Sequence, residues 1–220
     1  MVARSFLARL TEPQRAALMK LGSRQTFAAG TVLMRQDEQD DRVLLVLSGR
    51  VKILRADPDD RELLLAIRDG GDLLGELAFI DGLPRVATVV ALEDIEALVM
   101  TAGALREHLS TSPEIALALL ESVTARFREE SAERIQFAAT DTLGRLSSRL
   151  VELADRYGRP CDEGIAVDMP ISQDELAAWT GASRAGVAKA LQTLRELGWL
   201  VTERRALVLR DVDALRARAA

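Results

Sequence analysis

Cysteine and histidine are almost absent from this 220-residue sequence. The single cysteine, Cys161, excludes an intrachain disulfide, a cysteine-ligated iron–sulfur cluster and a cysteine-rich zinc site. The single histidine, His108, excludes a histidine-rich metal site. No nucleophile with a neighbouring base and no set of metal ligands stands out, so we expect a protein that is not an enzyme and holds no metal.

Long apolar runs and an excess of positive charge are also missing. The N-terminal residues MVARSFLARL lack the apolar core and cleavage site of a signal peptide, and no run approaches the length of a membrane span. We therefore expect a cytoplasmic protein without a membrane partner. The net charge of −5 argues against a uniformly basic nucleic-acid binder, whereas the 48% of hydrophobic residues can fill one large core or two small ones.

The longest helical signal begins at Pro113 and ends at Asp141. Proline is tolerated in the first turn, and neither glycine nor proline follows before Gly144, which predicts a helix of about seven turns. Steps of three and four residues connect Leu117, Leu120, Thr124, Phe127, Ser131, Arg134 and Ala138. This pattern is typical of a coiled-coil seam, apolar at first and then polar. The helix either packs on its own domain, or forms a dimer in which the polar seam positions contact something besides the partner helix.

The preceding hundred residues have the rhythm of a β-structure. Residues 5–22 predict one or two short helices, after which short apolar runs alternate with glycine-containing turns. The runs are Thr31–Met34, Val43–Leu47, Val51–Arg55, Leu63–Ile67, Ala87–Ala91 and Ile95–Met100. Several short strands at this spacing predict an all-β sandwich or roll.

The segment from Gly75 to Val89 departs from that rhythm. A single helical turn from Glu76 to Phe79 fits between two strands, and its first backbone N–H groups would be available to an anion. Arg85 follows Pro84 and can reach back toward this turn, so that its guanidinium and the backbone donors would hold a phosphate. Glu76 can accept from a ribose hydroxyl. The alternative is an ordinary ion pair between Glu76 and Arg85.

The last third of the chain predicts a winged helix-turn-helix. Residues 142–158 form an amphipathic helix, Ser172 and Glu175 a capping box, and Gly181 a tight turn before a second helix capped by Ser183. Trp199–Thr202 and Ala206–Arg210 read as the hairpin of a wing, and residues 183–210 carry a local net charge of +4. An αα-corner of an ordinary helical domain is the alternative.

The first turn of the second helix presents the candidate DNA-reading residues. Arg184, Ala185 and Lys189 point outward where recognition helices meet base edges. Arg184 suits a bidentate contact with guanine, and Lys189 can reach a base or a phosphate. The candidate phosphate contacts are Ser172, Ser183, Arg204 and Arg205.

A family resemblance covers the whole chain. Gly-Glu-Leu-Ala from Gly75, followed by Pro-Arg-x-Ala-Thr from Pro84, is similar to the phosphate-binding cassette of cyclic-nucleotide-binding domains. The chain resembles the cyclic AMP receptor protein branch of the Crp/Fnr transcription regulators. The resemblance implies an α+β fold with three parts: an N-terminal cyclic-nucleotide-binding β-roll over residues 1–112, a long dimerisation helix and hinge over residues 113–141, and a C-terminal winged helix-turn-helix over residues 142–220.

The same resemblance implies a ligand site for cyclic AMP or another cyclic nucleotide. Glu76 would bind the ribose hydroxyl, Arg85 the cyclic phosphate, and Ser131 the adenine held by the other subunit. The full set is Gly75, Glu76, Leu77, Arg85, Val86, Ala87 and Ser131. Members that bind cyclic AMP carry Ser or Thr at the position of Val86, so a hydroxyl donor to the phosphate is missing and cyclic AMP should bind more weakly. Glu130 stands where the family's cyclic AMP receptor has a Thr that meets the adenine, and its carboxylate either accepts from an exocyclic amine or is solvated.

On the DNA side, the family motif Ser-Arg-Glu-Thr-Val is Ser183-Arg184-Ala185-Gly186-Val187 here. Ala185 cannot accept from a cytosine amine, so one operator position should be read less strictly. The resemblance implies a homodimer on a palindromic operator, with RNA polymerase as a further partner. A ligand-independent regulator of the same fold is one alternative, and a nucleotide-binding module that acts through protein association is another.

Overall fold

The computed structural model describes residues 5–57, 62–168, 171–203 and 206–219. It divides into two compact units, Met1–Glu129 and Glu130–Ala220. The helices are α1 Glu12–Leu18, α2 Glu76–Asp81, α3 Ala102–Thr111, α4 Pro113–Ala139, α5 Thr142–Tyr157, α6 Gln173–Thr180, α7 Arg184–Glu196 and α8 Val212–Ala219. The strands are β1 Gly22–Phe27, β2 Val32–Met34, β3 Arg42–Ser48, β4 Val51–Ala56, β5 Glu62–Arg68, β6 Leu73–Leu74, β7 Thr88–Ala91, β8 Ile95–Thr101, β9 Arg159–Cys161, β10 Gly164–Val167, β11 Leu200–Glu203 and β12 Ala206–Leu209.

The first unit is a roll of two four-stranded antiparallel sheets, with strand orders β1-β8-β3-β6 and β2-β7-β4-β5. Strand β3 separates two cores because its side chains alternate between the faces of its sheet. Val43 and Leu45 pack in one core with residues of α1, α3 and α4, and Leu44 and Val46 pack in the other with residues of the second sheet. Each such buried side chain contributes about 1.5–3 kcal/mol.

Helix α4 uses one face against the roll and leaves the opposite face open. Its buried residues are Ile115, Ala118, Leu119 and Ser122, at the spacing of one helical face. Leu117, Leu120 and Phe127 are exposed by 56%, 59% and 69%, respectively. These three positions of the predicted seam are therefore more than half exposed to solvent.

The second unit places α5 beside the two helices of the helix-turn-helix and a four-stranded sheet of order β11-β12-β10-β9. Leu146, Leu150 and Leu153 of α5 are buried, as are Leu176 of α6 and Leu191 of α7. The capping box of Ser172 with Glu175 is formed, and Gly181 ends α6 with a positive φ of 59°. These local signals lie where the sequence pattern predicts them.

The predicted α+β class, with its β-roll, long helix and winged helix-turn-helix, is confirmed. The sequence patterns do not predict β1, whose residues GSRQTF are polar and largely exposed, or α3, which follows β8 with no turn signal between them. The single helical turn predicted at Glu76 continues to Asp81. Among the described residues, no helix is both long and apolar enough to cross a membrane.

Candidate ligand-binding and DNA-binding sites

The candidate phosphate-binding segment starts at Gly75, between β6 and α2. Gly75 caps α2 with a φ of 81°, a conformation that favours glycine. A Cβ atom at this position would lie 2.2 Å from Nη1 of Arg85, so any other residue would displace the guanidinium from its observed position. The structure thus brings Gly75, Glu76 and Arg85 together, as the sequence predicts for a cassette.

Arg85 is 3% exposed and is held mainly by backbone carbonyls. Its Nη1 donates to Gly75 O at 3.1 Å, and its Nη2 donates to Asp40 O at 2.9 Å and to Arg42 O. Guanidinium has five N–H donors. Nε has no partner among the described residues.

The backbone of Arg85 is fixed by the same turn that receives its side chain. The N–H of Asp37 donates to Arg85 O at 2.8 Å, and the N–H of Arg85 donates to Glu38 O at 3.0 Å. This turn before β3 lies more than forty residues away in the sequence. Sequence reasoning missed it, and its only local signal is a run of acidic residues.

The positive charge of Arg85 is only weakly compensated. Carbonyl groups orient a guanidinium without neutralising it, and the nearest carboxylate, Oδ2 of Asp40, lies 3.8 Å away while it pairs with Arg42 at 2.6 Å. Burial lowers the pKa of the Arg85 guanidinium, and the negative charge of Asp40 offsets part of this effect. Burial alone would raise the pKa of Asp40, but its hydrogen bonds with Arg42 bring that pKa below the usual value.

Glu76 is paired with a residue that the sequence analysis did not select. Its Oε1 accepts from Nη1 of Arg126 at 2.8 Å, and Nη2 of Arg126 donates to Oδ1 of Asp72 at 3.0 Å. The alternative of an ordinary ion pair between Glu76 and Arg85 is therefore not what the structure has: Glu76 pairs with Arg126, and Arg85 donates to backbone carbonyls. Arg126 lies on the face of α4 that also carries the buried residues Leu119 and Ser122. This spacing is the sequence feature from which an inward-facing Arg126 could have been predicted.

The remaining predicted ligand residues have different environments. Leu77 is 39% exposed and Val86 is 45% exposed, whereas Ala87 is 6% exposed. Ser131 lies on α4 within the second unit and is partly buried. Its contact with a ligand in the other subunit stays a prediction.

A cleft of about 660 Å³ opens beside Arg85, between the turn before β3, α2 and the start of α3. Arg85 is the one predicted ligand residue in its lining. The other charged lining residues are the carboxylates Glu38, Asp40 and Asp41 and the arginines Arg42 and Arg106, so the formal charges balance. Because the other predicted ligand residues lie outside this lining, we do not equate the cleft with the proposed cyclic-nucleotide site.

In the second unit, the first turn of α7 is exposed and well capped. Oγ of Ser183 accepts from the N–H of Gly186 at 3.1 Å, and Arg184, Ala185 and Lys189 are exposed. Nη1 of Arg184 lies 3.4 Å from Oδ2 of Asp174, with both side chains well exposed. An exposed pair of this kind contributes little, so Arg184 remains available to a base.

The candidate phosphate contacts are only partly placed. The hydroxyl of Ser172 donates to Oε2 of Glu175 at 2.8 Å, so a phosphate would have to compete with the capping box. Arg204 and Arg205, next to β11 and β12, lie outside the described residues.

Both halves of the chain match known domains. Residues 24–112 match the cyclic nucleotide-binding domain, and residues 144–218 match the Crp-like helix-turn-helix domain. The CRP-like cAMP-activated global transcriptional regulator of Mycobacterium tuberculosis is 33% identical over 219 residues, which cover 99% of this chain and 98% of the relative. The chain belongs to the Crp/Fnr family of transcription regulators.

One further sequence relative and one solved structure are similar to this chain. The cyclic AMP receptor protein of Thermus thermophilus is 28% identical over 175 residues, or 80% of this chain and 78% of that protein. The structure of the c-di-GMP responsive global regulator CLP of Xanthomonas campestris has a TM-score of 0.81 at 22% identity, covering 90% of this chain and 99% of that one, and it supports the fold alone. As a Crp/Fnr regulator, this protein binds DNA through its helix-turn-helix.

Proposed function

We propose that this protein is a homodimeric regulator whose binding to a palindromic operator is controlled by a cyclic nucleotide, with cyclic AMP as the first candidate. The observation that carries the proposal is the buried charge of Arg85. An anion beside it would gain a charge-assisted hydrogen bond from the donors that the carbonyls leave over. The first turn of α2, which Gly75 caps, adds backbone donors.

Arg85 and Glu76 determine the proposed orientation of the bound cyclic nucleotide. The cyclic phosphate contacts Arg85, and the ribose hydroxyl donates to Glu76, whose carboxylate Arg126 holds at 2.8 Å. Val86 supplies no hydroxyl to the phosphate. Since a hydrogen bond to a charged group contributes about 1.5–3 kcal/mol, cyclic AMP should bind at least about tenfold more weakly than with Ser at that position.

The open face of α4 supports the homodimer. Leu117, Leu120 and Phe127 are more than half exposed and follow heptad spacing, and Ile135, which the sequence analysis did not select, is 73% exposed. A second copy of the same helix would bury these side chains. Ser131, on the same seam, would then reach the ligand of the partner subunit.

On DNA, the first turn of α7 would read base edges in the major groove of each half-site. Ligand binding would bias the arrangement of the two long helices and therefore the spacing of the recognition helices. RNA polymerase is the further partner proposed at the promoter.

A ligand-independent regulator remains the second candidate, and one observation favours it. Glu76 accepts a hydrogen bond from Arg126, and Arg85 donates to three backbone carbonyls. These contacts within the protein would by themselves account for both residues, without any ligand.

Calorimetric titration of the full-length chain separates the two candidates. The probes are cyclic AMP, cyclic GMP and c-di-GMP, and the variants are Arg85→Ala and Arg85→Lys. Lys keeps the charge but loses the bidentate fork, so we expect weakened binding in Arg85→Lys and none in Arg85→Ala. A wild type that selects a palindromic site from random DNA and releases no heat with any probe would favour the ligand-independent candidate.

A further inference from the structure

Arg149 of α5 is a buried arginine enclosed by aromatic rings and carboxylates. Its side chain is 7% exposed. Its Cζ lies 4.8 Å from the ring centre of Phe137 and 4.6 Å from that of Trp179. Nη1 and Nη2 donate to the two carboxylate oxygens of Glu133, each at 3.0 Å, and Nη1 also donates to Oε2 of Glu152 at 2.8 Å.

These contacts join three helices of the second unit. Glu133 and Phe137 belong to the last two turns of α4, Arg149 to α5, and Trp179 to α6, the first helix of the helix-turn-helix. The bidentate carboxylate contact depends on the planar guanidinium and fixes its direction, while the two ring contacts hold its charge between α4 and α6. A lysine could not make the same set of contacts.

An arginine at this place is a costly way to fill space. Desolvation of its charge opposes folding, and Nε has no partner among the described residues. Apolar residues of similar volume often stabilise a protein as well as a buried ion pair does or better. What the arginine adds is a defined orientation between helices, which an apolar side chain would specify less strictly.

We propose that Arg149 is a positioning residue that joins the end of α4 and the helix-turn-helix into one rigid body. The segment from Asp141 to Gly144, where α5 begins after the end of α4, would then not act as a free hinge. Three further contacts within the second unit support this arrangement. Nε2 of Gln136 donates to Ala219 O, Nη1 of Arg145 donates to Thr140 O at 3.1 Å, and Nη2 of Arg218 donates to Oδ1 of Asp141.

The test measures the distance between two spin labels on one chain. Cys161 is first replaced by Ser, and labelled cysteines are introduced at Ala132 of α4 and Gln192 of α7, both exposed. Labelled chains are mixed with excess unlabelled protein so that the pair within one chain dominates. The contacts of Arg149 with Glu133, Phe137 and Trp179, called the clamp below, are broken by Arg149→Gln, with Arg149→Lys as the variant that keeps the charge.

Arg156→Gln is the matched control. Arg156 lies two turns later on α5, pairs with the same Glu152 at 3.0 Å, and stacks on Tyr157 of its own helix with Cζ 5.1 Å from the ring centre. This substitution therefore removes an arginine of α5 with one ion pair and one ring contact, and both of these contacts stay within α5.

We expect a narrow distance distribution in the wild type and in Arg156→Gln, and a broadened or split one in Arg149→Gln and Arg149→Lys. Near-ultraviolet circular dichroism and thermal melting confirm that each variant is folded. If Arg149→Gln does not fold, Glu133→Gln replaces it, because it leaves Arg149 between the rings and removes only the bidentate carboxylate. An unchanged narrow distribution in a folded clamp variant would overturn the proposal.

A second measurement links the clamp to DNA and rests on the proposed function. Sites are selected from palindromes whose half-site separation varies by single base pairs. We expect the wild type to prefer one separation and Arg149→Gln to accept neighbouring separations. Failure of the proposed function appears differently, as the absence of palindrome selection by the wild type, while the spin-label result stands by itself.

Discussion

Arg126 of the long helix donates to Glu76 of the cassette at 2.8 Å and to Asp72 at 3.0 Å. All three side chains are 11–13% exposed, so one guanidinium compensates two largely buried carboxylates. The contact connects the start of α2 to α4, and it means that Glu76 is already oriented before any ligand binds. A ligand hydroxyl would meet a carboxylate with a fixed direction.

Substitution of Arg126 by Met should be strongly destabilising. Removal of one partner of a buried pair leaves an uncompensated charge and costs about 3–5 kcal/mol, and here two carboxylates lose their partner. Denaturant unfolding measures the change in free energy. The double variant Asp72→Asn with Glu76→Gln in the Arg126→Met background should recover part of the loss. A cost of Arg126→Met below about 1 kcal/mol would show that the network is solvated.

The seam of α4 predicts that Phe127→Glu yields monomers. The substitution would place two like charges in the interface of the proposed dimer, where they lose water without gaining a partner. Light scattering coupled to size exclusion measures the mass. Ala132→Glu is the control, since residue 132 is exposed on the same helix but lies off the seam. A monomeric wild type would contradict the dimer.

Periodic features of this fold are readable from the sequence, and its polar contacts are not. The seam from Leu117 to Phe127 repeats at the period of its helix, which makes its face predictable. The apolar run from Val43 to Leu47 predicts a strand but not its faces, because both faces of β3 are buried. Arg85, in contrast, is fixed by carbonyls of a turn more than forty residues earlier in the chain. An inward arginine such as Arg149 looks in the sequence like any solvated charge, because only tertiary packing distinguishes the two.

The residue after Arg85 predicts a gain of affinity. Val86 is 45% exposed, so it can be replaced without opening a cavity in the core. Val86→Ser should tighten cyclic AMP by about tenfold or more, the equivalent of about 1.5–3 kcal/mol for a hydrogen bond to a charged group. Val86→Ala is the matched control, because it differs from Val86→Ser only by the hydroxyl. Equal affinities for cyclic AMP in the two variants, measured by calorimetry, would mean that this position does not face the phosphate.

Asp141 predicts a pH dependence of stability in the second unit. Its carboxylate accepts from the N–H of Gly144 at 2.9 Å and from Arg218, and the hydrogen bond with Gly144, assisted by Arg218, lowers the pKa of Asp141 below its ordinary value of 3.8. A depressed pKa in the folded state stabilises the protein above the unfolded pKa, and this contribution is lost as the pH falls through the folded pKa. Asp141→Asn keeps the helix cap without the titration. The free energy of unfolding of the wild type minus that of Asp141→Asn should be constant near neutral pH and shrink below about pH 4. A difference that grows on acidification would contradict this assignment.

The first turn of α7 predicts an unusual reading of DNA. Arg184 is 70% exposed and only loosely paired with Asp174, so it can turn to a guanine, whereas Ala185 offers no acceptor to a cytosine amine. Loss of a base contact in Arg184→Ala should cost about 1–3 kcal/mol and relax one position of each half-site. Ala185→Glu should make the protein more selective at the neighbouring position of each half-site, since the new carboxylate can accept from a cytosine amine.

A substitution of Arg204, predicted from the sequence as a phosphate contact, should instead weaken binding to all DNA sequences alike. It should also lower the slope of the logarithm of the binding constant against the logarithm of the salt concentration by about one. Selection of sites from a random pool by the wild type, Arg184→Ala and Ala185→Glu distinguishes these effects, and identical half-site preferences in all three would show that this helix does not read bases in the proposed way.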